Sequence, residues 1–155
     1  VQTCALPICV PFKPNFVSLA KKLEVSRNSL EEYLTFMEDA GLIARLRDQA
    51  GGIIGLGKVE KVYLDNSNLI YFLSEKEPEM GNIRETFFMN QMRVNNALAS
   101  SAVADFKIDK YTFEVGGKNK SHAQIKNTPN AFIIKDDIEY GYKNVVPLWA
   151  FGLNY

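Results

Sequence analysis

Tyr111-Thr112-Phe113-Glu114-Val115-Gly116-Gly117-Lys118 is the stretch whose reading decides the fold. Tyr111 to Val115 alternates as a strand, and Val103 to Ile108 before it does the same, with Asp109-Lys110 as the turn between them. Asp105 stands at the head of the first strand and Glu114 on the second. Upstream, Arg84-Glu85-Thr86-Phe87-Phe88 has helical spacing and adds a third carboxylate, Glu85. Two carboxylates on neighbouring strands suit magnesium, a hard ion that prefers oxygen ligands. Such an ion activates water and screens the charge that develops when a phosphodiester is cleaved. A lysine beside it steadies the attacking water or the phosphoryl oxygens.

A helix carboxylate, a carboxylate at a strand head and a Glu on the next strand form the ground plan of a PD-(D/E)XK nuclease site. That plan wants Glu-x-Lys, and here the strand reads Glu114-Val115-Gly116. Residues 114 and 116 share a strand face about 7 Å apart, but Gly116 leaves its place empty. Lys118 would stand about 13 Å from Glu114 on a continuing strand. It approaches only if the chain folds back at Gly116-Gly117, which glycines permit without requiring. Simpler roles stand beside the chemical one: Asp105 ending a strand or pairing with a lysine, Glu114 paired with Lys118 or Lys120, Glu85 on a solvated helix face. The expectation is a degenerate site with Glu85, Asp105, Glu114 and Lys118 as vestigial catalytic candidates, and with Asp105 and Glu114 as the metal ligands if there are any. The alternative is a magnesium-dependent nuclease using Asp105, Glu114 and Lys118, with Glu85 in support.

Around this hairpin the pattern predicts an α/β domain over 65–155, with a restriction-endonuclease-like core. Asn68 to Leu73 reads as a short helix, and Asn82 to Leu98 as a long one turning Ile83, Phe87, Phe88 and Met92 to a core. Ser121 to Lys126 reads as a short helix, with His122 on its surface. Ala131-Phe132-Ile133-Ile134 is a continuous apolar run, as in a strand covered on both faces. Val145 to Phe151 closes the core, with Trp149 inside it.

Residues 10–64 read as a winged helix-turn-helix, making the whole chain α+β. Phe16 to Leu23 and Arg27 to Ala40 are two helices around a short break, with Ser26 as N-cap and Gly41 as the C-terminal stop. Leu30, Tyr33, Leu34 and Met37 make the buried stripe of the second. Leu42 to Leu46 and Lys61 to Leu64 form the wing strands, and residues 48–52 the flexible turn between them. The candidate nucleic-acid contacts are Arg27 on the second helix and Arg45, Arg47 and Lys58 on the wing. The second helix also carries Glu31, Glu32, Glu38 and Asp39, which oppose the phosphate backbone. A protein partner is therefore the stronger expectation. Gly52 to Val59 nearly spells a phosphate loop, but Val59 lacks the hydroxyl and the stretch runs into a β-like segment, so no ATP site is expected here.

Val1 to Ile8 matches the translation of a sequencing-adapter oligonucleotide, and residues 1–9 are read as an artefact containing Cys4 and Cys9. The natural protein is then expected to extend further upstream. Without those two the chain has no cysteine, as expected of a reducing cytoplasm. The net charge is +0, so no bulk field draws the chain to nucleic acid or membrane.

Lys61-Val62-Tyr63-Leu64-Asp65-Asn66, Gly81 to Phe88, Ala104-Asp105-Phe106, Phe113 to Lys120 and Pro147-Leu148-Trp149 together resemble the C-terminal half of a family of bacterial and archaeal AAA-type ATPases. The resemblance covers residues 11 to 155. It implies an upstream phosphate-loop ATPase domain that binds ATP, then a winged helix, then a nuclease-like domain of unknown function. It makes that ATPase domain the chain's own first partner, with DNA or another protein as the second. Many relatives keep Glu-x-Lys, and Gly116 departs from them.

Overall fold

The computed structural model describes residues 11–50, 53–74, 76–121 and 123–153. The expectations for residues 1–9, for Gly51-Gly52 and for His122 lie outside them.

Helix α1 (Phe16–Lys22) begins where the Asn15 side chain accepts the Ser18 amide at 3.0 Å. Helix α2 (Arg27–Asp39) is capped in the same way by Ser26 on Ser29. It stops at Gly41, whose φ of +68° suits a residue without a Cβ. There Leu42 N–H reaches the Met37 carbonyl and Gly41 N–H the Glu38 carbonyl, a Schellman ending. Leu30 and Leu34 are buried as the stripe requires, but Tyr33 is half-exposed. Strands β1 (Ile43–Ala50) and β2 (Ile53–Leu64) then form an antiparallel ribbon longer than the sequence suggests. The near-phosphate-loop stretch from Ile53 onward is strand.

Helices α3 (Ser67–Leu73) and α4 (Met80–Met92) lead into a five-stranded sheet. Its members are β3 (Ala99–Ser100), β4 (Phe106–Ile108), β5 (Tyr111–Gly116), β6 (Ala131–Lys135) and β7 (Val145–Pro147), in that spatial order. The β3–β4–β5 pairs are antiparallel, and β5–β6–β7 are parallel. The fold is therefore a mixed α+β arrangement with two sheets. No helix among the described residues is long and apolar enough to cross a membrane.

Three boundaries differ from expectation, the first two for a local reason. Helix α4 ends at Met92 rather than Leu98, where Asn96 turns its side chain onto the Met92 carbonyl. Strand β4 starts at Phe106 rather than Val103, because the Ser101 hydroxyl accepts the Val103 and Ala104 amides and bends the chain. The helix expected at Ser121 to Lys126 is a single 3-10 turn, Ala123–Ile125. The turn at Asp109 is as expected, with φ +50° in a conformation that Asp tolerates.

Two larger hydrophobic clusters organise the molecule. One gathers Ala20, Leu30, Leu34, Ile43, Val62 and Ile70 between the first helices, the ribbon and α3. The other joins Leu46 and Tyr63 of the ribbon to Phe88, Phe106, Val115 and Ile134. The ribbon thus belongs to both, and the cores do not part at residue 64. Trp149, expected inside, is 56% exposed on the 3-10 segment Leu148–Leu153, and Leu148 takes the buried place.

Candidate functional site

Glu114 sits on β5 opposite Ile133 of β6 and is 1% exposed. Its neighbours on the strand, Phe113 and Val115, pack with Phe88 of α4. Alternation therefore turns Glu114 to the other face of the sheet, and its Oε1 forms an ion pair with Lys120 Nζ. Its Oε2 is buried with no hydrogen-bond partner. Burial pushes the Glu114 carboxyl above its ordinary value. Lys120 pulls it down, and the charges of Asp105 and Glu85 push it up again.

Lys120 rather than Lys118 is the lysine of this strand. The chain does fold back after Gly116-Gly117, with Lys120 N–H donating to the Gly117 carbonyl at 2.9 Å. That turn leaves Lys118 exposed, and its carbonyl accepts from Lys135 Nζ at 3.0 Å. The Lys120 stem lies across Gly116: a Cβ there would stand 2.6–2.8 Å from Lys120 Cδ, Cγ and Cβ. The space that a residue-116 side chain would fill is taken by the stem of residue 120. Gly116→Ala is expected to displace that stem and cost about 1–3 kcal/mol. Denaturant unfolding measures this; a neutral substitution would mean that Lys120 is not seated there.

Asp105 and Glu85 meet around a different lysine. Lys61 Nζ of β2 lies 2.9 Å from Glu85 Oε2 and 3.6 Å from Asp105 Oδ1. Tyr63, two residues on and on the same strand face, donates its hydroxyl to Glu85 Oε2 at 3.1 Å. The other Asp105 oxygen, Oδ2, accepts the Val115 amide at 2.9 Å. Burial alone would lower the Lys61 pKa, but the Glu85 and Asp105 carboxylates outweigh it and raise it. Burial, then the Glu85 charge, pushes the Tyr63 phenol far above its ordinary range, so it stays a donor. Glu85 is mostly buried here, not on a solvated helix face.

A magnesium site of the kind the strand pattern implies needs its carboxylates gathered on one point. Here Glu85 and Asp105 converge on Lys61, and Glu114 turns to Lys120. Among the described residues, no three acidic, histidine or cysteine side chains are grouped to hold a metal ion. As they stand, the residues do not fit that group.

The four cations expected at nucleic acid also come together. Arg27, Arg45, Arg47 and Lys58 line one open concavity of about 710 Å³ between α2 and the ribbon, with Phe16 and Phe36. Three of them are engaged within the chain. Arg27 pairs with Glu31 at 2.9 Å, Arg45 with Glu38 at 2.5 Å, and Arg47 donates to the Gly57 carbonyl at 3.2 Å. Lys58 is exposed.

Lys61 and Tyr63 join the carboxylate cluster without having been among the candidate site residues. Their two-residue spacing on a strand was the available signal, but it named a shared face without naming what faces it. Set against family models, curated proteins and solved structures, the chain matches none.

Proposed function

We propose that this chain is a non-catalytic binding module: a winged helix-turn-helix joined to a degenerate PD-(D/E)XK nuclease-like fold. We read it as the C-terminal part of an AAA-type ATP-binding protein of the cytoplasm, whose ATP site lies in another domain. One observation carries the reading. Each of the three carboxylates that chemistry would use holds a lysine of the chain itself, Lys61 for Glu85 and Asp105 and Lys120 for Glu114. A protein partner, the ATPase domain first, suits the concavity better than DNA does, since its arginines are already engaged and α2 adds Glu31 and Glu32 to its wall.

The second reading, a magnesium-dependent nuclease, has its own support. Lys120 lies over Gly116 and reaches Glu114, so the lysine of Glu-x-Lys can come from residue 120 in place of Lys118. The two readings part in a cleavage assay on linear and nicked DNA with magnesium or manganese. The parent is expected to show no cleavage above background, and Glu114→Ala to change nothing. Robust cleavage by the parent, lost in both Glu114→Ala and Lys120→Ala, would establish the enzyme instead. Duplex DNA is expected to bind at micromolar strength or weaker, without sequence preference, within the ordinary non-specific range of roughly 10⁻⁴–10⁻⁶ M. A nanomolar, sequence-selective shift abolished by Arg27→Ala would defeat the protein-partner reading.

A further inference from the structure

We propose that Lys61 is the resident cation of the Glu85–Asp105 pair, a latch by which the ribbon closes the carboxylate cluster and keeps a divalent ion out of it. The latch comes from the other side of the molecule's sequence. Lys61 and Tyr63 stand on β2, whereas Glu85 stands on α4 and Asp105 just ahead of β4. Both latch groups meet the same oxygen, Glu85 Oε2, at 2.9 and 3.1 Å. Asp105 is fixed from behind by the Val115 amide, so its free oxygen is held toward the ammonium. The Tyr63 ring is wholly buried and packs 5.8 Å from the Phe106 ring, which anchors the strand where Lys61 must be. Two carboxylates that share a site repel unless a cation lies between them. The chain supplies that cation from the ribbon, which its place in both cores holds fixed.

The proposal deepens the reading of this cluster as non-catalytic, and the two fail separately, because the tests below measure metal binding and stability rather than cleavage. Titration calorimetry of the intact chain with Mn²⁺ is expected to show no saturable binding up to millimolar concentration. Saturable micromolar binding that disappears in Asp105→Asn would overturn the proposal. Lys61→Met leaves the two carboxylates without their shared cation and is expected to lower the melting temperature by about 2–4 °C. Adding Glu85→Gln to Lys61→Met removes one of the two charges and is expected to recover at least half of that loss. No recovery, or no initial loss, would show that Lys61 is not their counter-ion. Lys61→Gln is the milder companion for the case in which Lys61→Met does not fold. It keeps an amide donor but no charge, and the same partial loss and the same recovery with Glu85→Gln are expected of it.

Discussion

Phe88→Ala is expected to lower the stability of the chain by about 3–5 kcal/mol. Phe88 is fully buried on α4, with ring centroids of Phe106, Phe113 and Phe151 at 5.2, 5.4 and 4.9 Å. Truncation removes the burial of a large ring and three aromatic contacts, and leaves a void between α4 and the sheet. The same cluster holds Leu46 and Tyr63 of the ribbon, so the loss is not confined to the five-stranded sheet. Urea unfolding of the variant, followed by far-ultraviolet circular dichroism and by tyrosine fluorescence, is expected to give one coincident transition moved to lower denaturant. Two separated transitions, with the first helices and ribbon surviving the sheet, would show that the cores are independent after all.

That shared core bears on how much the sequence could say. Periodicity placed α1, α2 and α3 within one or two residues, and the cap residues Ser26 and Gly41 marked the limits of α2. The continuous apolar run of β6 was legible as a strand covered on both faces. What the pattern does not show is of two kinds, short-range side-chain competition for the backbone and long-range packing. Ser101 and Asn96 cut elements short by bonding backbone groups near them, a competition that hydrophobic spacing does not register. Trp149 looked like core because it is large and apolar, but the chain leaves β7 as a 3-10 segment that turns Leu148 inward in its place. At the candidate site, the three carboxylates were visible as residue types on a helix, a strand head and a strand. Lys120 is one of the two partners the sequence offers Glu114, and a lysine is one it offers Asp105; Lys61 is not identifiable there, since it lies 24 residues from Glu85 in the chain and only the ribbon's packing unites them. Counting along the strand points to Lys118 as the lysine of Glu-x-Lys. The fold-back at Gly117 makes residue 120 the one that returns.

Lys120→Met is expected to cost about 3 kcal/mol at pH 7, and almost nothing near pH 4. Glu114 is the buried member of the pair and Lys120 the partly exposed one, so removing the lysine strands a carboxylate whose second oxygen already has no partner. The pH dependence follows from the direction of the Glu114 shift. Burial raises its pKa above the ordinary 4.5 even with Lys120 in place, so the folded state favours the protonated form. That contribution is fully present below pH 4.5 and is lost as pH rises through the raised folded value. Without Lys120 the chief lowering influence is gone, the folded value rises further, and the loss extends higher in pH. Adding Glu114→Gln removes the charge altogether and is expected to recover most of the stability while flattening the acid-to-neutral slope. Lys118→Met, at an exposed position, is expected to change stability by less than about 0.5 kcal/mol. Chemical denaturation at pH 4, 5.5 and 7 for these variants decides the matter. A Lys120→Met deficit that stays constant across the three values would mean that packing of the stem over Gly116, and not the charge on Glu114, is what Lys120 provides. A comparable deficit in Lys118→Met would mean that Lys118 shares the role with Lys120.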